Sequence, residues 1–193
     1  MKNAVTPSTE PLLELFYRGL GDPDAEVRSN SAYATGLLVE YSEVDLSPQY
    51  LPLLAALRPL FSASPDESSS ELNARDNAAG AVARLLIRNS AAVPIDQVLP
   101  VFIGALPLKN DLLENRPVFR ALFLIFRLNA QVLHPYMERL LQVFAYVLDP
   151  NTEEDQIDEE VKAELVSLIA LLNTMDPAKV QAAGLTPFVP TQG

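Results

Sequence analysis

Cysteine and tryptophan are missing from this 193-residue chain, and histidine occurs once. Without cysteine, the sequence excludes a disulfide framework, a thiolate metal site and a cysteine nucleophile. Glycine is scarce, with seven residues or about half the usual share, which disfavours doubly wound sheets and β-sandwiches because their turns consume glycine. No apolar run reaches the ~18 residues of a membrane-spanning helix. We expect no membrane segment, no metal and no cofactor.

Basic side chains are also few. Lysine and arginine number 14 against 25 aspartates and glutamates, which gives a formal net charge of −11 and a pI near 4.5. A protein that binds duplex nucleic acid needs positive charge against the phosphates, so this acidic chain is a poor candidate for nucleic-acid binding. The same excess of negative charge attracts basic proteins. We therefore expect basic protein partners and no nucleic acid.

The single histidine gives little support for catalysis. His134 directly precedes Pro135 in an apolar helical stretch. No motif-borne serine lies near it in the sequence, so neither a Ser–His nor a Cys–His arrangement is indicated. We expect a protein that is not an enzyme.

Apolar residues recur at helical spacing along nearly the whole chain, and strand-type alternation does not exceed four residues. The pattern therefore predicts an all-α protein. Gly184 is expected to end the last, short helix. The predicted helices lie near 9–20, 24–42, 48–61, 71–89, 95–106, 111–128, 130–148, 154–174 and 177–183.

The predicted helices form pairs, and the pairs repeat. The segment at 27–38 aligns with the segment at 74–86, so that Asn30 corresponds to Asn77, and Asn115 occupies the same slot in the next repeat. In the other helix of each pair, a proline interrupts the apolar stripe, at Pro52, Pro100 and Pro135. The spacings lie near the ~40–47 residues of HEAT and armadillo repeats.

These repeats predict an α-solenoid of about four HEAT repeats, built from antiparallel helix pairs and closed by a short C-terminal helix. The repeat array is expected to cover residues 1–185, and the residues at 186–193 are expected to form an extended tail.

Two motifs carry a more specific resemblance: RDNA…ARL at 75–85 and LPLKxDxxEN at 106–115. At this separation they resemble the HEAT repeats of the importin-β (karyopherin-β) family, and within it the C-terminal region of the importin-4 subgroup. The resemblance implies a nuclear import receptor that shuttles between cytoplasm and nucleus. Its cargo would be basic proteins such as core histones or ribosomal proteins. Contacts with the small GTPase Ran and with nuclear pore proteins would lie on repeats outside this chain.

The second helix of each pair lines the concave surface of such a repeat array. Asparagine can bond an extended peptide backbone, a carboxylate can bind a lysine ammonium, and an aromatic ring can pack on the lysine stem. The resemblance also implies that inner-surface acids and asparagines contact basic cargo. The residues in the matched slots, which we predict to form a lysine-binding pocket, are Asn30, Tyr33, Asp76, Asn77, Glu114 and Asn115.

Leu113 stands where relatives often carry a second acid, which weakens this pocket by one charge. A purely structural ladder of polar side chains between helices remains an alternative for the asparagines, above all for Asn30. Tyr33 is equally compatible with a place in the core. For Asp76 with Arg75 and Arg28, we expect an inter-repeat ion-pair ladder.

An acidic cluster precedes and opens the predicted helix at 154–174. It is interpreted either as a solvated helix face or as an electrostatic collector that speeds capture of basic cargo. The spacing lacks the mid-loop glycine of a calcium-binding EF-hand. The members of this cluster are Glu153, Glu154, Asp155, Asp158, Glu159, Glu160 and Glu164.

The sequence thus supports two functional hypotheses. The first is the cargo-binding part of a nuclear import receptor that recognises basic lysine-containing segments on an acidic concave surface. The alternative is a generic HEAT-repeat scaffold that organises a protein complex without binding basic peptides.

Overall fold

A computed structural model describes residues 8–62, 68–152 and 156–189 of the chain. Within these ranges the regular structure consists of α-helices and short 3-10 helices, so the predicted all-α fold of a helical repeat is confirmed. The α-helices are α1 Thr9–Leu20, α2 Ala25–Tyr41, α3 Tyr50–Leu57, α4 Ser69–Asn89, α5 Ile95–Gly104, α6 Asn115–Asn129, α7 Met137–Val147, α8 Glu159–Met175 and α9 Pro177–Ala182.

Two predicted helices are interrupted or begin differently from the prediction, because proline and 3-10 geometry intervene. The helix expected at 48–61 consists of α3 flanked by two 3-10 segments, Ser47–Gln49 and Arg58–Phe61, each with a proline at its start. The stretch before α7 is a 3-10 helix, Ala130–Tyr136, that contains Pro135. Proline lacks the N–H that a continuous α-helix requires at these positions.

The chain divides into two compact units, Met1–Ala121 and Leu122–Gly193. In the first unit α1 packs on α2, and α2 packs along α4. Apart from Arg75, α4 is buried from Ala74 to Leu86, and alanine and glycine fill much of that stretch. Such small side chains let the neighbouring helix approach closely, while larger side chains such as Leu85, Phe102 and Phe119 fill the remaining core.

The second unit contains α7, α8 and α9. On α8, the buried residues Val161, Leu165, Ile169 and Leu172 recur at helical spacing and form one apolar face. α9 packs on both α7 and α8.

Gly184 ends α9, as the sequence predicts. Its φ of 75° lies in the left-handed region that glycine adopts without a steric penalty. The Gly184 N–H donates to the Gln181 carbonyl at 3.0 Å, and the Leu185 N–H donates to the Val180 carbonyl at 3.1 Å. These two bonds form a Schellman motif.

The expected extended tail differs at its beginning, where Thr186–Phe188 forms a 3-10 turn with Pro187 in its first positions. The residues at 190–193 lie outside the described ranges. In the part of the chain that the structure describes, no helix combines the length and apolar character needed to cross a membrane.

Candidate functional site

An ion triad in the first unit connects α2, α4 and the 3-10 segment Leu112–Glu114 that precedes α6. The Arg84 guanidinium on α4 donates from Nε to Glu40 Oε2 at 2.9 Å and from Nη2 to Glu114 Oε1 at 3.1 Å. Its Nη1 also donates to Glu114 Oε2, so the Glu114 contact is bidentate. The guanidinium carbon lies 5.9 Å from the centre of the Tyr33 ring, within reach of a cation–π interaction.

Burial makes the triad electrostatically important. Arg84 is 8% exposed and Glu114 is 1% exposed. Burial on its own lowers the pKa of Arg84, but the hydrogen bonds and charges of Glu114 and Glu40 outweigh it, so the pKa lies above its usual value. Burial raises the pKa of Glu114, and the Arg84 guanidinium opposes that rise. Arg84 therefore stays charged and holds a carboxylate that would otherwise be buried without a counter-ion.

Gly80 creates the space that Glu114 occupies. A Cβ atom added at position 80 would lie 1.4 Å from Glu114 Oε2. A side chain at this position would therefore force the Glu114 carboxylate out of its place beside Arg84. The triad thus depends on a small residue in α4 as well as on its three charged members.

Asp76 binds a loop rather than a solvent-exposed ligand. Its Oδ2 accepts three backbone N–H bonds, from Lys109 at 2.8 Å, Asn110 at 2.7 Å and Asp111 at 3.1 Å. The residue is fully buried, and burial raises the pKa of its carboxyl while the three N–H donors oppose that rise. Asp76 therefore fixes the loop that leads from α5 towards α6.

The asparagines of the predicted pocket have different environments. Asn77 is 5% exposed, and its Nδ2 donates to Ser29 Oγ on α2 at 2.9 Å. Asn115 is 1% exposed at the start of α6, whereas Asn30 is exposed on α2. Tyr33 is partly exposed, at 42%, and lines a groove.

The structure therefore brings Tyr33 and Glu114 together through Arg84, but it does not gather all six predicted residues around one open pocket. Asp76, Asn77, Glu114 and Asn115 are buried between helices. Packing between neighbouring helices and loops covers these four side chains, which an isolated helix would expose to solvent.

The expected ion-pair ladder requires a correction. Arg28 Nη1 donates to the backbone carbonyls of Asp22 and Pro23, each at 2.8 Å, in the turn before its own helix. The Arg75 Nε lies 3.8 Å from Asp76 Oδ1, within α4. Arg28 follows Asp22 and Pro23 closely in the sequence, so its guanidinium reaches their carbonyls within the same repeat. These two hydrogen bonds do not connect one repeat to the next.

Sequence reasoning missed the two partners that complete the polar contacts, Arg84 and Glu40. Arg84 belongs to the ARL part of the motif at 75–85 and stands four and eight residues after Gly80 and Asp76, on a helical face. Because residues four apart share a helix face, this spacing indicates that Arg84 lies on the same buried face of α4 as Asp76 and Gly80.

The open surface beside the triad is a groove on α2, α4 and the start of α6. Its volume is about 700 Å³, and Arg84, Arg88, Arg116 and Arg120 line it together with Glu40 and Glu114. The sequence-based expectation of an acidic surface on the second helices does not hold for this groove, because arginines outnumber carboxylates there.

Four members of the acidic cluster lie in the described part of α8 and its N-cap. Asp158 caps the helix by accepting the Val161 N–H at 2.8 Å, and Glu164 forms an ion pair with Arg127. Glu159 and Glu160 are exposed in the first turn, where carboxylates favour the helix dipole. Glu153, Glu154 and Asp155 lie outside the described residues.

No protein-family model matches the chain. Comparison with curated proteins finds 39% identity over 169 residues, 88% of the chain, with the probable importin subunit beta-4 of Schizosaccharomyces pombe. The chain belongs to the importin-β family, in its importin-4 group. Human importin-4 is 30% identical over 172 residues, and mouse importin-4 is 28% identical over 161 residues, which are 89% and 83% of the chain.

The chain of this importin-β family member spans 15% of the length of the fission yeast and human relatives and 14% of the mouse relative. Family membership confirms the resemblance that the two motifs indicate. The Arg84 triad and the contact of Asp76 with the loop after α5 therefore belong to a member of a helical-repeat receptor family.

Proposed function

We propose that the chain is a protein-binding part of a nuclear import receptor that shuttles between cytoplasm and nucleus and is not an enzyme. The identity to the fission yeast importin subunit beta-4 over most of the chain is the observation that carries this proposal. A helical repeat suits the role because it offers extended surfaces to protein partners. In this proposal, the small GTPase Ran and nuclear pore proteins contact repeats outside this chain.

The proposed cargo segments are basic and contain lysine, as in core histones or ribosomal proteins. The formal net charge of −11 supports this, because it attracts positively charged segments over a distance set by the ionic strength. Such attraction raises the rate of encounter more than it fixes the register of a bound peptide.

The exposed carboxylates of α8 are the proposed contact, with Glu159 and Glu160 at their centre. A lysine that approached Glu114 would have to displace Arg84 from both carboxylate oxygens and pass a groove that three further arginines line. The buried residues Asn77 and Glu114 then act by holding neighbouring elements together, with Asn115 buried beside Glu114, and Asp76 acts by holding the loop after α5.

Fluorescence anisotropy with a labelled lysine-rich peptide tests the proposal. We expect binding that weakens steadily as salt rises, since the screening length falls from about 10 Å at 0.1 M to about 3 Å at 1 M. The double substitution Glu159→Gln, Glu160→Gln should weaken binding by about two- to fivefold, the size of one or two exposed ion pairs. Removing two other exposed charges, in α1 and α2, by Glu10→Gln and Glu26→Gln, is the control and should have a smaller effect.

A generic scaffold is the second candidate, and the burial of four of the six predicted pocket residues favours it. A scaffold would ignore the lysine-rich peptide at every salt concentration and would instead bind a folded partner through shape and apolar contact. Peptide binding that is absent at low salt would contradict the import-receptor proposal for this chain.

A further inference from the structure

Another groove of the first unit lies between α3 and α5, and most of the side chains that line it are apolar. Its volume is about 500 Å³, which is enough for a few side chains of a bound peptide. The apolar side chains come from α3, from the 3-10 segment after it, from α4 and from α5, and they include Leu54, Phe61, Val82, Val98 and Val101.

Several of these apolar side chains face water. Leu51, the second residue of α3, is 62% exposed, and Leu54, Val98 and Val101 are half-buried. Covering apolar area that water contacts in the free protein contributes favourable free energy to binding. Apolar side chains that are exposed together along one groove therefore favour a partner that is itself apolar where it touches them.

Prolines remove a backbone donor on each side of the groove. Pro59 has no N–H to donate to the Ala55 carbonyl four residues earlier, and Pro100 has none for the Asp96 carbonyl. Both Ala55 and Asp96 line the groove. Each of these carbonyls lacks the donor that an uninterrupted α-helix supplies. The N–H groups of an extended peptide can take that place, whereas those of a helical peptide are already bonded within the helix.

Two exposed side chains of opposite charge also line the groove. Arg58 begins the 3-10 segment after α3, and Asp96 lies in the first turn of α5. Among the residues at 8–62, 68–152 and 156–189, neither side chain forms an ion pair or a hydrogen bond. Each is therefore open to a partner side chain of the opposite charge.

We propose that this groove binds a short extended segment of a partner protein that has aliphatic side chains in its middle and charged side chains of opposite sign at its ends. The aliphatic residues cover Leu51 and its apolar neighbours. An acidic end pairs with Arg58, and a basic end pairs with Asp96. A segment with the same charge at both ends fits less well, because one end then meets a like charge.

This surface goes beyond the proposed contact with basic segments and does not depend on it. The groove lies on α3 and α5, whereas the carboxylates proposed for basic segments lie on α8. Substitutions in the groove leave Glu159 and Glu160 unchanged, so either proposal can fail while the other holds.

Anisotropy titration of the 193-residue chain with labelled peptides tests the charges of the groove. The peptides share a leucine–valine–leucine core and have blocked termini. One carries aspartate at one end and lysine at the other, and the second carries lysine at both ends. Arg58→Glu should shift the ratio of the two affinities towards the dilysine peptide by about five- to tenfold, because it makes both charges of the groove negative.

Arg18→Glu changes the net charge of the chain by the same amount on an exposed residue of α1, and it should leave that ratio within about twofold. Asp96→Lys provides the mirrored test with a peptide that carries aspartate at both ends, and the shift should favour the diaspartate peptide to a similar extent. Thermal unfolding followed by circular dichroism shows that each variant retains the fold.

The apolar contact is tested by Leu51→Ser, which should weaken binding of the mixed-charge peptide by about three- to tenfold. Leu15→Ser is the matched control, because Leu15 on α1 is 56% exposed and lies outside the groove. Unchanged affinity ratios in both Arg58→Glu and Asp96→Lys overturn the proposal. So does an equal loss of affinity in Leu51→Ser and Leu15→Ser, or the absence of binding to all three peptides.

Discussion

At the scale of single residues, Glu114 shows that a carboxylate of a type that could bind lysine can instead be buried and bonded within the protein. Its carboxylate is almost fully buried and receives two hydrogen bonds from Arg84. A buried carboxylate without its counter-ion is costly, so removing one partner of such a pair destabilises a protein far more than removing an exposed pair. The energetic role of the triad can therefore be measured directly.

Arg84→Ala should lower the free energy of unfolding by about 3–5 kcal/mol, because it leaves the Glu114 carboxylate buried and unpaired. Urea unfolding followed by circular dichroism measures this change. Arg18→Ala removes an exposed arginine that pairs with Glu14 at 3.1 Å, and it should cost about 1 kcal/mol or less. Equal losses in the two variants would mean that the triad does not stabilise the first unit.

The sequence alone could not predict that Glu114 is buried and bonded to Arg84. The repeat pattern aligns Asn77 with the segment that carries Glu114, but it does not say whether a side chain at either position meets solvent or a neighbouring helix. Arg84 and Glu114 lie 30 residues apart in the chain. Only their packing in three dimensions shows that one neutralises the other.

At the scale of helices and loops, local chemistry accounts for most of the agreement with the sequence. Gly184 has the positive φ that ends α9, and Pro177 stands at the first position of that helix. Pro135, in contrast, lies in a 3-10 helix that the periodic pattern had merged into one long helix. Apolar periodicity finds a helix, but it does not separate its α and 3-10 parts.

The loop after α5 depends on a contact that sequence reasoning had interpreted as an ion pair. Asp76→Asn keeps the shape of the side chain but removes the negative charge that accepts three backbone N–H bonds. We expect the amides of Lys109, Asn110 and Asp111 to exchange with solvent at least about tenfold faster, because charge-assisted bonds are roughly twice as strong as neutral ones. Hydrogen exchange followed by NMR measures these three amides.

Asp96→Asn, in the first turn of α5, is the matched control for that experiment, because its carboxylate is exposed. It should leave the exchange of the three loop amides unchanged. Unaltered exchange in Asp76→Asn would show that the loop is held by other contacts.

At the scale of the whole molecule, the charge is uneven. The chain is strongly acidic, yet the groove on α2, α4 and α6 is bordered by arginines. Composition therefore predicts the sign of the preferred partner only for the surface as a whole. It does not predict how charged residues are distributed over the surface, since four arginines lie together along this one groove.

NMR chemical-shift mapping of the 21.1 kDa chain with a lysine-rich peptide tests most directly where basic segments bind. We expect the largest amide shifts at Asp158, Glu159 and Glu160, with shifts that shrink as salt is added and with little change at Asn77 and Glu114. Shifts centred on Asn77 and Glu114 would contradict the assignment of these residues to structure and of basic-segment contact to α8.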